Sequence, residues 1–162
     1  MITIPNTNYN ARDIQLAQIL NSTTKVNMLK VLKKFDLYAS PNQKKDETAR
    51  RVADVVLDNP IEILSRLNKT ELQIVDEFVK GGDDTYVVRK QRQTFYILQK
   101  YFLVVTYCDE AKGEWHMLMP KALRESLATS LPFYLDCAMK GVKAPSAKEL
   151  RMMSMMRKFF SN

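Results

Sequence analysis

Apolar positions recur three and four residues apart along most of this chain, the spacing of helices packed on one side. Only over residues 103–119 do β-branched and aromatic residues crowd together in the manner of strands. Residues 1–9 show neither pattern and read as an irregular arm. Asn10 can cap a first helix, with Asp13 at its third position and Ile14, Leu16, Ala17 and Leu20 at helical spacing. Asn21-Ser22-Thr23-Thr24 interrupts it and offers the next cap. A second helix is predicted over 25–37, with Val26, Leu29, Leu32 and Phe35 as its stripe and Lys30, Lys33 and Lys34 facing away. Pro41 disfavours helix at Ser40, so 38–43 reads as extended chain or turn. A third helix over 45–57 buries Ala49, Val52, Ala53 and Val56.

Asn59-Pro60 restarts the helix, with Asn59 as its cap and Ile61, Leu64 and Leu67 as its stripe. Thr70 caps the next, whose Leu72, Val75, Phe78 and Val79 face the core and which Gly81-Gly82 ends. After a turn at 83–85 come a short strand over 86–88 and a helix over about 90–102, with Phe95, Leu98 and Phe102 on one side. Strands over 103–108 and 115–119 pair across the connection 108–114. Pro120 opens a helix with Leu123 and Leu127 inward and Lys121 and Arg124 outward; a further short helix ends at Gly141. Beyond a linker at 142–145, Ser146 and Glu149 form a capping box for the last helix.

These elements predict a mostly α protein with a small antiparallel β-hairpin, an α+β arrangement. A helical unit over 1–57 packs on a unit over 58–141 built around the hairpin, and 142–162 is a linker followed by an amphipathic helix. The stretch 89–119 holds the single tryptophan, Trp115, and the single histidine, His116. Its density of aromatic mass marks it as the packing centre.

The last helix has the most unusual composition. At 100° per residue Met152, Met153, Met155, Met156, Phe159 and Phe160 share one face, opposite Arg151, Ser154, Arg157 and Lys158. Methionine adapts to irregular surfaces, so such a helix suits its own core, a partner groove, a dimer contact or a membrane surface. Met152, Met153, Met156, Phe159 and Phe160 are the candidate docking residues.

Composition narrows the function classes. The formal net charge is +7, which favours polyanionic partners. The excess is concentrated over 25–57 and 113–162, while 58–80 is acidic. Lys44, Lys45, Arg50 and Arg51 sit at or near the first two turns of the third helix, and Arg89, Lys90 and Arg92 at the start of the helix over 90–102. These seven are the candidate phosphate contacts. Two cysteines without a CxxC pair exclude a disulfide framework, and no apolar run approaches the roughly 20 residues of a membrane span. A cytoplasmic protein is expected.

The sequence offers no catalytic signature. It lacks GxxxxGK[ST], GxGxxG and HExxH motifs. The lone histidine, His116, reads as an ordinary packed or surface imidazole that cannot form a triad or a zinc site with the residues around it, and the acidic pairs Asp83-Asp84 and Asp109-Glu110 have no partners at metal-ligand spacing. Cys108 and Cys137 sit in apolar surroundings and read as inert. No cofactor, no metal and no enzymatic activity are therefore expected.

Two stretches resemble known families. TKVNMLKVLKKFDLYASPNQKKDETARRVADVVL, residues 24–57, resembles the helix–extended-loop–helix of SAP and Rho N-terminal-type domains. That resemblance implies a small nucleic-acid-binding unit with phosphate contacts at Lys44, Lys45, Arg50 and Arg51. Residues 70–119, ending in a helix and a hairpin, are similar to part of a winged-helix domain, which would make the helix beginning at Arg89 the recognition element. Two functions follow as expectations: a module binding DNA or RNA through basic helix starts, or a module docking on itself or another protein through its C-terminal helix.

Overall fold

The structure is a computed structural model that describes residues 14–83 and 85–160. The arm over 1–9, the expected cap Asn10 and the acidic Asp13 lie outside the described residues. The fold is mostly helical with a small antiparallel sheet. Three helices open it: α1 (Leu16–Asn21), α2 (Lys25–Lys34) and α3 (Lys45–Leu57). Thr24 caps α2 by accepting the Asn27 N–H at 3.2 Å. The buried face of α2 is Met28, Val31 and Leu32, continued by Phe35 just past its end, while Val26 is 62% exposed. Phe35 sets this face, because the positions three, four and seven residues before it are the ones that turn inward with it. In α3 the face is Thr48, Ala49, Val52, Ala53 and Val56.

Two helices follow, α4 (Pro60–Leu64) and α5 (Lys69–Gly81). Asn59 does not cap α4; its amide donates back to the Val55 carbonyl at 2.7 Å, closing α3 instead. The cap of α5 is Asn68, two residues earlier than Thr70. Asn68 accepts the Glu71 N–H at 2.9 Å while the Glu71 carboxylate accepts the Asn68 N–H. The other oxygen of Glu71 accepts the Ile97 N–H at the start of α6 (Ile97–Lys100). One buried carboxylate thus closes the N-termini of two helices, and it takes the earlier start of α5 to place it there.

The hairpin gains a third strand. β1 (Val87–Lys90), β2 (Val105–Asp109) and β3 (Glu114–Leu118) form an antiparallel sheet in the order β1-β3-β2. The expected helix over 90–102 is therefore mostly absent. Arg89 pairs with Trp115 and Lys90 with Glu114 in the strand register, and the Gln91 N–H reaches the Gly113 carbonyl at 2.9 Å. Cross-strand pairing and the cover that Phe95 and Tyr96 give Trp115 win over local helix preference. The Phe95 ring stacks on the indole at 5.3 Å and stays exposed rather than turning inward. Only α6 remains helical. It ends on Phe102 at φ 58°, with the Leu103 N–H donated to the Leu98 carbonyl at 3.0 Å. Packing of Phe102 against both core clusters offsets the left-handed backbone.

α7 (Lys121–Ala128) and α8 (Leu131–Met139) close the body against α5. Arg124, expected outward, is buried and pairs with Asp83 at 3.0 Å, because the turn after α5 lies over α7. A continuous core runs from Leu16 to Tyr134 and includes Phe78, Trp115, Met117 and Leu123. Ile14 and Ile19 cover Val105 and Leu118 on the other face of the sheet. The last element, α9 (Ala147–Phe160), adds no buried residue.

Candidate interaction surfaces

The start of the C-terminal helix is tied to the body of the fold. The Tyr134 hydroxyl donates to the Pro145 carbonyl at 2.7 Å, tying the linker to α8. Burial raises the Tyr134 pKa from its ordinary value of 10.0, and Cys137, Glu62 and Glu149 nearby push it the same way. Ser146 and Glu149 form the expected capping box, each side chain bonding the other's N–H at 3.2 Å. Leu150 and Arg151 then meet α4 in a shallow groove formed with Pro60 and Ile61. There the Arg151 guanidinium stands 3.7 Å from the buried Glu62 carboxylate, which also faces Arg66 at 3.6 Å.

Past this tether no described residue of the helix is buried. Met152, Met153, Met155, Met156, Phe159 and Phe160 are between 49% and 80% exposed. The two phenylalanines alone present roughly 300 Å² of apolar surface, taking about 200 Å² for each side chain. With the four methionines the exposed apolar face exceeds the roughly 300–600 Å² that is the largest patch of a typical monomer.

The candidate phosphate contacts lie on different elements, four at or in α3 and three in and just after β1. Lys44 and Lys45 are exposed at the start of α3, and neither they nor Arg50 and Arg51 form an ion pair among the described residues. Arg50 turns toward α1, lining a groove with Asp54, Lys121 and Glu125 in which the charges balance. Arg51 lies about 100° further round the helix. Arg89 and Lys90 are strand residues and Arg92 is in the loop that follows, so none of the three begins a helix. Arg89 is held by Glu77 of α5 at 2.8 Å, and Arg92 lies over the Tyr96 ring at 4.5 Å. No hydrogen bond or ion pair joins this group to α3 among the described residues.

The segment expected to be a single connection, 108–114, instead extends both strands and gathers a further cluster. Both Asp109 and Glu114 belong to the strands and pair directly, and His116 follows Glu114 on the same face. Their ligand atoms lie within 4.8 Å of one another. The spacing carried the signal: any hairpin that pairs 109 with 114 places 114 and 116 together. Cys108, on the opposite face, is exposed rather than set in apolar surroundings, and both cysteines are free thiols.

No protein-family model, curated protein or solved structure matches the chain. Among the described residues no helix is long and apolar enough to cross a membrane.

Proposed function

We propose that this chain is a non-enzymatic assembly module that associates with a second copy of itself through α9. The observation that carries this reading is the Met/Phe face, at least half exposed nearly throughout, on a helix that buries no residue in its own chain. A helix of about 14 residues is marginal in water without packing, and here none of its residues is buried. Six large apolar side chains on each of two helices approach the roughly 800 Å² per partner of a standard interface. The basic opposite face, with Arg151 and Arg157, keeps the outer side of such a pair in water. Both thiols being free suits a cytoplasmic setting.

The test is the mass in solution over a concentration series, by light scattering or sedimentation. The full chain is expected to dimerise in the micromolar range, and the variant M152D/M156D/F159D to remain a folded monomer with the melting temperature of the dilute, monomeric wild type. A full chain that stays monomeric at about 100 μM contradicts the reading, since that lies well above the Kd expected for an interface of standard size.

A second reading, binding of DNA or RNA, is favoured by the four unpaired cations of α3 and the helix–loop–helix that carries them. The order β1-β3-β2 supports the winged-helix comparison, but α6 has only 4 residues to lay along a groove. Glu77 already engages Arg89. Nucleic-acid contacts through α3 alone predict a shallow salt dependence, with log K falling by about 0.9 per phosphate neutralised on duplex DNA. Lys45→Glu and Arg51→Glu should abolish it; affinity indifferent to both removes this reading.

A further inference from the structure

We infer that Asp109, Glu114 and His116 form a binding site for a single divalent transition-metal ion of the zinc class. The site rests on the sheet, independently of α9. Three observations converge on it.

The first is register. Asp109 and Glu114 are direct partners across β2 and β3, and His116 and Glu114 are two residues apart on one strand, so all three side chains rise from the same face. This brings two carboxylates and an imidazole together on the paired strands β2 and β3, with one ligand atom of each within 4.8 Å of the others. The second is the state of the histidine. Its Nε2 atom is buried and has no hydrogen-bond partner, yet lies 3.4 Å from Glu114 Oε2. The separation suits an ion pair while the angles do not make a hydrogen bond. It equals the edge of a tetrahedron with ligand bonds of about 2.05 Å, which comes to about 3.4 Å. A metal at that vertex would satisfy an otherwise orphaned buried nitrogen.

The third is the surround. Tyr86 stacks on the imidazole at 5.6 Å and Tyr107 meets it edge-on at 6.0 Å, so the ring has two aromatic walls. Asp109 Oδ1 accepts the Lys112 N–H at 3.2 Å, which fixes the carboxylate while leaving its second oxygen for an ion. Lys90 is the strand partner of Glu114 on β1, but makes no ion pair with it. One imidazole nitrogen with two carboxylates selects zinc, cobalt or nickel over magnesium and calcium, which prefer all-oxygen shells. Three protein ligands leave a fourth position for water.

The experiment is calorimetric titration of the full chain with Zn²⁺, Co²⁺ and Mg²⁺, alongside the visible absorption of the Co²⁺ form. It is run in wild type and in a C108S/C137S background, so that thiolates cannot supply the binding. One equivalent of Zn²⁺ or Co²⁺ is expected in both, with Co²⁺ bands typical of four or five ligands and no competition from Mg²⁺. His116→Ala and the nearly isosteric Asp109→Asn should each weaken binding by more than about tenfold. Zn²⁺ should raise the melting temperature of wild type and not of either variant. No binding, binding lost with the cysteines, or wild-type affinity in either D109N or H116A would overturn the assignment. Oligomeric state does not enter this readout, so its failure is distinct from failure of the α9 dimer.

Discussion

α5 and α9 are nearly the same length, 13 and 14 residues, and both carry one apolar face and a capping box at the start. They end in opposite environments. α5 buries Glu71, Leu72, Ile74, Val75 and Phe78 between β1, α7 and α8, whereas α9 buries none of its residues. Amphipathic spacing therefore states that a face must be covered, and leaves open by what. For α5 the answer lies within the chain, in β1, α7 and α8, which follow it in sequence and fold back over its face. α9 comes after a linker tied down by Tyr134 and Pro145, and its apolar face stays largely exposed.

The contrast can be broken most directly by truncating a phenylalanine in each helix. Phe78→Ala, in the closed core, should cost about 3–5 kcal/mol, read by chemical denaturation. Phe159→Ala should change the stability of the monomer by less than about 0.5 kcal/mol while weakening self-association. Equal losses would mean that α9 is core after all. Next in size is Glu71→Ala, which leaves the Asn68 and Ile97 N–H groups without their acceptor. It should cost about 2–3 kcal/mol, and Glu71→Gln less.

The caps give a smaller and sharper version of the same comparison. Asn68→Ala should lower global stability by about 1 kcal/mol, because α5 cannot fray without opening the core. Ser146→Ala should leave the denaturation midpoint unchanged and only reduce helical signal, since α9 can fray alone. The linker adds a pH signature. The Tyr134 pKa is raised in the folded state, so the unfolded chain loses this proton first as pH rises. The contribution is complete below about pH 10 and is lost as pH rises from there through the folded pKa. Tyr134→Phe should remove that alkaline component, measured as the wild-type minus variant difference in stability against pH. Smallest of all, Arg151→Ala at an exposed guanidinium should cost at most about 1 kcal/mol.

Much of the fold was legible from spacing. The α3 and α5 faces, the strand pair and the boundaries at Gly81 and Gly141 all follow from local pattern. What escaped was decided by distant partners. The residues after Arg89 look helical in isolation, and become strand and loop because Trp115 and Glu114 offer a pairing edge. Arg124 looks like a surface charge until Asp83 folds over it. The Asp109–Glu114–His116 cluster needed only the strand ends to be placed one residue further into the turn. The polar sites were hardest to read, because a charged residue in sequence carries no mark of the residue that will neutralise it.

The most direct test of the α9 assignment is hydrogen exchange of residues 152–160 at low and at high protein concentration, followed by mass spectrometry. An interface between copies predicts amides exchanging almost freely in dilute protein and protected once the dimer fills, while α5 remains protected throughout. Protection of 152–160 in the dilute monomer, or free exchange at every concentration, would contradict it.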